Sequence, residues 1–237
     1  MKENPDLIPV EVVQKEFYLS ETYADDGTIV DSHLMTEGEV NELKNNIVPY
    51  AGTTDSTTRG KLYFTGTLYQ NSSTGGYNLS FRAEWEKGTW IILVDSPDNP
   101  SAGNDFIAVD WEGDGKAFKI ASSSISGTYQ VDGKAVGINQ SYKSSYYGIG
   151  WDFAERKNSS DGKYRYFVDT ITGNVNLDKV NSGTQGKSAG LNLIYYHTYS
   201  DLDYSLTLVP NANGFLSFVC TPNSNVIPLA LRFRMNY

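Results

Sequence analysis

Alternation of apolar and polar side chains is the dominant pattern of this chain. From Tyr77 to Glu86 the odd positions Tyr77, Leu79, Phe81, Ala83 and Trp85 are apolar, and the even positions Asn78, Ser80, Arg82, Glu84 and Glu86 are polar. That is the period of a strand with one buried and one wet face. The same period returns in residues 163–169, in 204–208 and in the closing stretch 229–237. Trp90-Ile-Ile-Leu-Val94 is continuously apolar instead, as expected of a strand covered on both faces. Asp26-Gly27, Asp132-Gly133, Asp161-Gly162, Gly173-Asn174 and Asn213-Gly214 lie between such runs and read as hairpin turns.

One helix start stands out. Thr36-Glu-Gly-Glu39 is a capping box, so a short helix is expected to run from there to Asn45 or Asn46. The fold class that follows is all-β: an antiparallel β-sandwich of roughly ten to twelve strands, with an N-terminal hairpin and one short helix. A closed barrel is the alternative architecture.

Charge divides the chain unevenly. Of its 237 residues, the first 50 carry 11 Asp/Glu against 3 Lys/Arg, leaving 17 against 16 for the rest. The sequence therefore suggests an acidic hairpin-plus-helix appendage over 1–48, a polar linker or surface loop over 49–60 and a β-sandwich core over 61–237. A net charge of −9 excludes a nucleic-acid partner, since phosphate binding needs clustered cations. Nowhere does the chain approach the ~18 consecutive apolar residues of a transmembrane helix. Its opening, Met1-Lys-Glu-Asn-Pro-Asp6, contains no apolar stretch of the signal-peptide kind. A single cysteine, Cys220, excludes an internal disulfide, and its apolar neighbours predict a buried thiol. Tyrosine is abundant at 17 residues and methionine scarce at 3, a composition that suits exposed strands of a secreted or cell-surface protein.

Candidate chemistry is sparse. With only His33 and His197, neither a multi-histidine metal site nor a Cys/His zinc pattern can be written, which sets zinc aside. His197 shares strand parity with Leu191, Leu193 and Tyr195, so a packed, hydrogen-bonded histidine is expected. Ser200 and Asp201 follow it, but no G-x-S-x-G elbow surrounds a serine. Glu84, Glu86, Asp105, Asp110 and Glu112 are interleaved with Trp85, Trp90 and Trp111 and raise the alternative of a carbohydrate-active hydrolase. Such an enzyme needs two carboxylates about 5–10 Å apart flanking the scissile bond. Asp110-Trp-Glu112-Gly-Asp114-Gly115 places acidic oxygens at alternate positions before a glycine, as in the opening half of a calcium loop, while Ala121 stands where an EF-hand has its bidentate glutamate. Asp110, Glu112 and Asp114 are accordingly the candidate Ca2+ ligands, calcium being the one cofactor the sequence suggests.

Tyr142-Lys-Ser-Ser-Tyr146-Tyr147-Gly-Ile-Gly-Trp151 combines large aromatics with small neighbours, the composition of a recognition surface. Tyr142, Tyr146, Tyr147 and Trp151 are therefore the candidate ligand-binding residues of a non-catalytic protein that recognises an extracellular protein or glycan. A β-barrel or membrane-active protein is a further alternative, because the chain ends on an alternating strand with Phe233 and Tyr237. Trp85, Trp90-Ile-Ile-Leu and Asn104-Asp-Phe-Ile-Ala-Val-Asp-Trp111 resemble segments of uncharacterised secreted β-rich proteins of Gram-positive bacteria, over roughly residues 60–155. The resemblance implies a secreted bacterial protein and transfers no functional residue.

Overall fold

The computed structural model describes residues 6–23, 29–45, 57–86, 104–111, 117–130, 133–158, 165–180, 186–198, 205–210, 216–221 and 226–236. In chain order these form β1 (Leu7–Tyr23), β2 (Ile29–Leu34), α1 (Glu37–Asn45), β3 (Thr57–Asn71), β4 (Tyr77–Trp85), β5 (Asn104–Trp111), β6 (Phe118–Tyr129) and β7 (Ile138–Ser144). They continue as β8 (Gly148–Ala154), β9 (Arg156–Asn158), β10 (Arg165–Lys179), β11 (Ser188–Thr198), β12 (Ser205–Pro210), β13 (Leu216–Thr221) and β14 (Val226–Asn236). One sheet has seven strands in the order β2-β1-β3-β4-β10-β6, with β9 paired to β10. A second has five, in the order β14-β11-β5-β8-β7, and β12 and β13 form a separate hairpin. All the strand pairings among the described residues are antiparallel. This is the expected sandwich, with twelve strands in its two main sheets and no closed barrel among the described residues.

Each sheet turns one parity inward. In β4 the buried Tyr77, Leu79, Phe81, Ala83 and Trp85 face Ile107, Val109, Trp111, Ile149, Trp151 and Phe153 of the second sheet, and together they make the main core. Burying a side chain of this size contributes about 1.5–3 kcal/mol, so the alternation itself fixes which face points in. A smaller cluster of Phe106, Ala108 and Tyr196, joined by Tyr142, uses the opposite parity of β5 and β11. The β12–β13 hairpin lies against β5 and β7.

The start of the chain is continuous with this sheet. β1 pairs with β3 from Leu7↔Asn71 to Thr22↔Thr57, and Leu19 is fully buried in the core. Thr57–Gly60, expected to lie in a linker, are the first residues of β3, while 49–56 lie outside the described residues. Polar composition misplaced that boundary because Thr57 and Thr58 are good strand residues wherever a neighbouring strand satisfies their backbone. Ile8, Val10 and Val12 are exposed beside a register irregularity between Pro9 and Glu11. A proline and a bulge of this kind blunt a sheet edge against unwanted pairing.

Gly173-Asn174 is not a turn. Both residues sit inside β10, where Gly173 lies opposite Phe81 of β4 on one side and Ile125 of β6 on the other. A Cβ on Gly173 would come within 2.3 Å of the Phe81 ring, and one on Gly66, the other neighbour of Phe81, within 2.5 Å of Phe233. The two glycines leave space for aromatic rings to lie over the sheet, a packing demand that overrides the turn-like dipeptide. Of Asp132-Gly133, Asp132 lies outside the described residues; Gly133, at φ 63°, donates its N–H to the Tyr129 carbonyl, as in a turn. Asp26-Gly27, Asp161-Gly162, Asn213-Gly214 and Trp90–Val94 lie outside the described residues.

The helix starts as its capping box requires. Thr36 N–H donates to Glu39 Oε2 at 2.7 Å, and Glu39 N–H donates to Thr36 Oγ1 at 3.4 Å. Glu39 Oε1 also lies 3.3 Å from His33 Nε2, and Asp31 Oδ2 lies 2.8 Å from Nδ1. Its hydrogen bond to Asp31, followed by that to Glu39, raises the pKa of His33 above its usual 6.5.

Two outcomes follow from this packing. Gly173→Ala should destabilise the fold by about 1–3 kcal/mol in urea unfolding, whereas Gly137→Ala, which meets nothing within 4 Å, should change it by less than about 0.5 kcal/mol. Because the folded pKa of His33 is raised, its stabilising contribution is complete below about pH 6.5 and is lost as pH rises through the folded value. The stability difference between wild type and His33→Asn should therefore shrink between pH 6 and pH 8. With both partners partly exposed, that difference stays under about 1 kcal/mol.

Candidate functional site

The inward parity that builds the core carries polar and charged residues at one end of the sandwich. Glu21 follows Leu19 on the core-facing side of β1, and Asp105 opens the inward series Asp105, Ile107, Val109, Trp111 of β5. Glu155 continues Trp151 and Phe153 just past β8, and His197 continues Leu191, Leu193 and Tyr195 of β11. The side chains of Glu21, Asp105 and His197 have no exposed area, and Glu155 is 3% exposed.

The three carboxylates converge on the imidazole. His197 Nε2 lies 3.0 Å from Glu21 Oε1, and Nδ1 lies 3.4 Å from Asp105 Oδ2 and 3.6 Å from Glu155 Oε1. Asp105 is itself held on both oxygens. Tyr195 O–H donates to Oδ2 at 2.6 Å, and the Thr198 backbone N–H donates to Oδ1 at 2.9 Å. Trp85 Nε1–H completes the chain by donating to the Tyr195 hydroxyl at 3.2 Å. The Trp85 ring stands edge-on to both Tyr195 and His197, at centroid distances of 6.0 and 5.7 Å.

Burial disfavours a charged imidazole, but the negative charges of Glu155 and Asp105 and the hydrogen bonds to Asp105 and Glu21 outweigh it and push the His197 pKa well above 6.5. The Tyr195 hydroxyl is also pushed well up, first by burial and then by Asp105 and Glu155. His197 is therefore a packed histidine, as its parity predicts, and its partners come from three other segments of the chain.

The candidate residues from the sequence fall in different places. Trp151 is 4% exposed and packs against Phe81 in the core, so it cannot meet a partner; the inward parity of β8 that buries Ile149 and Phe153 buries it too. Tyr142, Tyr146 and Tyr147 are half-buried on the β7–β8 hairpin, Tyr142 against Phe106, Ala108 and Tyr196, with Tyr146 and Tyr147 in the turn. The backbone of that turn is tied down at two points. Ile120 N–H donates to the Ser145 carbonyl at 2.8 Å, and Trp111 N–H donates to the Tyr147 carbonyl at 3.3 Å. Of the calcium candidates, Asp110 is 1% exposed on the opposite parity of β5 from Asp105, and Asn192 Nδ2–H donates to its Oδ1 at 2.6 Å. Glu112 and Asp114 lie outside the described residues.

The carboxylates proposed for a hydrolase are likewise dispersed. Asp105 and Asp110 are buried on opposite faces of β5, while Glu84 pairs with Arg82 at 2.8 Å on the outer face of β4. Glu86, two residues past Glu84 on the same parity, accepts a hydrogen bond from the Tyr63 hydroxyl at 3.0 Å, and Glu112 lies outside the described residues.

No family model matches the chain, and no curated protein does. Several solved structures resemble it distantly. The chain is similar to a pore forming protein at TM-score 0.37 and 11% identity, covering 97% of this chain and 96% of that one. It is similar to the Clostridium perfringens NetB toxin in its membrane inserted form at TM-score 0.38 and 12% identity, covering 95% and 97%. A structure concerned with Streptococcus parasanguinis adhesion by Fap1 fimbriae gives TM-score 0.32 and 10% identity, covering 95% of each chain. Values this low carry no argument about activity, which rests on the residues themselves.

Tyr195→Phe keeps the ring and removes the donor to Asp105. It should destabilise the fold by about 1–3 kcal/mol in urea unfolding, the cost of leaving a buried acceptor short of a partner. Unchanged stability would show that the hydroxyl does not hold Asp105.

Proposed function

We propose that this is a non-catalytic binding protein of an extracellular setting, which engages a protein or glycan through the tyrosines of the β7–β8 hairpin. The observation that carries the reading is the hairpin turn itself, where half-exposed Tyr146 and Tyr147 stand on a backbone pinned to the ends of β5 and β6. Aromatic side chains on a rigid turn offer large contact area while losing little conformational freedom on binding. Exposed Ser141, Lys143 and Ser145 alternate with Tyr142 and Ser144 beside them and supply polar contacts at the rim. Tyr142 supports the surface from below through its packing on Phe106 and Tyr196, and Trp151 has no part in it.

The hydrolase alternative is less well supported, because Asp105 and Asp110 lie in the core on opposite faces of β5, while Glu84 and Glu86 are engaged by Arg82 and the Tyr63 hydroxyl. The test is a glycan array and a cell-surface binding assay with the intact chain and with Tyr146→Ala/Tyr147→Ala. Loss of an interface hot spot typically costs ~2 kcal/mol or more, so binding should weaken at least about tenfold while the melting temperature stays nearly unchanged. Equal binding by the double variant removes the hairpin from the contact surface. Hydrolysis of a glycan by the wild type moves the protein to the enzyme reading.

A further inference from the structure

We propose that Asp105, Glu155 and His197 form a structural site for a divalent transition-metal cation of the Zn2+ type, sealed at the end of the sandwich. One ligand atom from each residue, a carboxylate oxygen or an imidazole nitrogen, lies within 4.8 Å of the other two, and all three residues are buried. The spacings separate two kinds of contact around one imidazole. Nε2 to Glu21, at 3.0 Å, is an ordinary hydrogen-bond distance. Nδ1 to Asp105 Oδ2 and to Glu155 Oε1, at 3.4 and 3.6 Å, are long for hydrogen bonds. They match the edge of a ligand tetrahedron, about 3.4 Å when the bonds to the metal are about 2.0–2.1 Å.

The surrounding groups orient these donors. Metal binding displaces the Nδ1 proton that the ring otherwise carries; with Nε2–H still donating to Glu21, the Nδ1 lone pair then faces the ion between the two carboxylates, the carboxylate–histidine–metal arrangement that sets the tautomer of a ligating histidine. Asp105 is fixed by Tyr195 and Thr198, so its Oδ2 is aimed before any ion arrives. One nitrogen and two carboxylate oxygens suit Zn2+ or a neighbouring first-row ion better than Ca2+, which takes six to eight oxygens. The two carboxylates neutralise the dication, and a water completes the tetrahedron. The site joins β5, β11 and the segment after β8, so its role is to hold strands of the second sheet together at the end where Glu21 brings in β1.

The experiment uses the full chain, unfolded in denaturant with EDTA, freed of chelator and refolded with and without Zn2+. After desalting, elemental analysis should find one zinc per chain, with a melting temperature higher by roughly 5 °C or more than that of the metal-free protein. Co2+ in place of Zn2+ should give the visible absorption of a four-coordinate ion. Glu155→Gln keeps the shape and removes a ligand charge, and it should weaken zinc binding at least tenfold; His197→Gln should do the same. If neither variant folds, stoichiometry, melting shift and Co2+ spectrum of the wild type decide. The proposal fails if the refolded wild type holds no stoichiometric metal, if zinc leaves its melting temperature unchanged, or if Glu155→Gln takes up zinc as tightly as the wild type, which marks an adventitious surface ion only.

Discussion

The packing of this protein turns on one requirement, that charge taken out of water must be matched by charge or by hydrogen bonds. Four acidic or basic side chains enter the core at one end of the sandwich, and each occupies a position that the strand alternation would otherwise fill with an apolar residue. They are tolerated because they meet. Glu21 reaches His197 from the first sheet, Asp105 and Glu155 reach it from the second, and Tyr195 and Thr198 hold Asp105 in place. Removing one partner from such a group is far more damaging than the net worth of the pair, so the strands that carry these residues are committed to one register. β1 is thereby bound to the core by its end as well as by its ladder with β3.

Away from that end, shape replaces charge as the constraint. Val13, Gly66, Phe81, Gly173 and Ile125 lie in one row across the seven-stranded sheet. Phe81 stands between two glycines, and Phe233 comes down from the opposite sheet toward Gly66. The space the glycines leave is occupied by rings, so the sheets interdigitate at this row. Tyr77 closes the far edge by exchanging hydrogen bonds with the backbone of Asn236, donating its hydroxyl to the carbonyl and accepting from the amide.

Local pattern was a good guide wherever the cause of the structure was local. The alternation of β4, the box that starts α1 and the last strand β14 are all readable from neighbours within a few residues, and the structure forms them. Gly173-Asn174 was misread because the reason for the glycine is Phe81, 92 positions earlier in the chain. The charged cluster was hidden for the same reason: His197 and Glu21 are separated by 176 positions, and no spacing rule joins them. A signal was nevertheless present. Asp105, Glu155 and His197 each fall on the apolar parity of their own strand, and a charged residue on a core-facing parity needs a partner. Three of them at strand ends imply that they share one.

The register of β5 and β8 then relates the two sites. Asp105 lies opposite Phe153, two residues before Glu155, while Asp110 lies opposite Gly148, the residue after the Tyr146-Tyr147 turn. Five residues of extended chain span about 17 Å, so the charged cluster and the tyrosine turn stand at opposite ends of the same pair of strands. Strands fixed at one end by buried, mutually paired charges and braced along their length by Ile107, Val109, Ile149 and Trp151 hold their far end in place. A surface presented there is ordered before it meets a partner, and less conformational freedom remains to be lost on contact. The polar end of the core and the aromatic turn are thus coupled through rigidity, without any side chain reaching from one to the other.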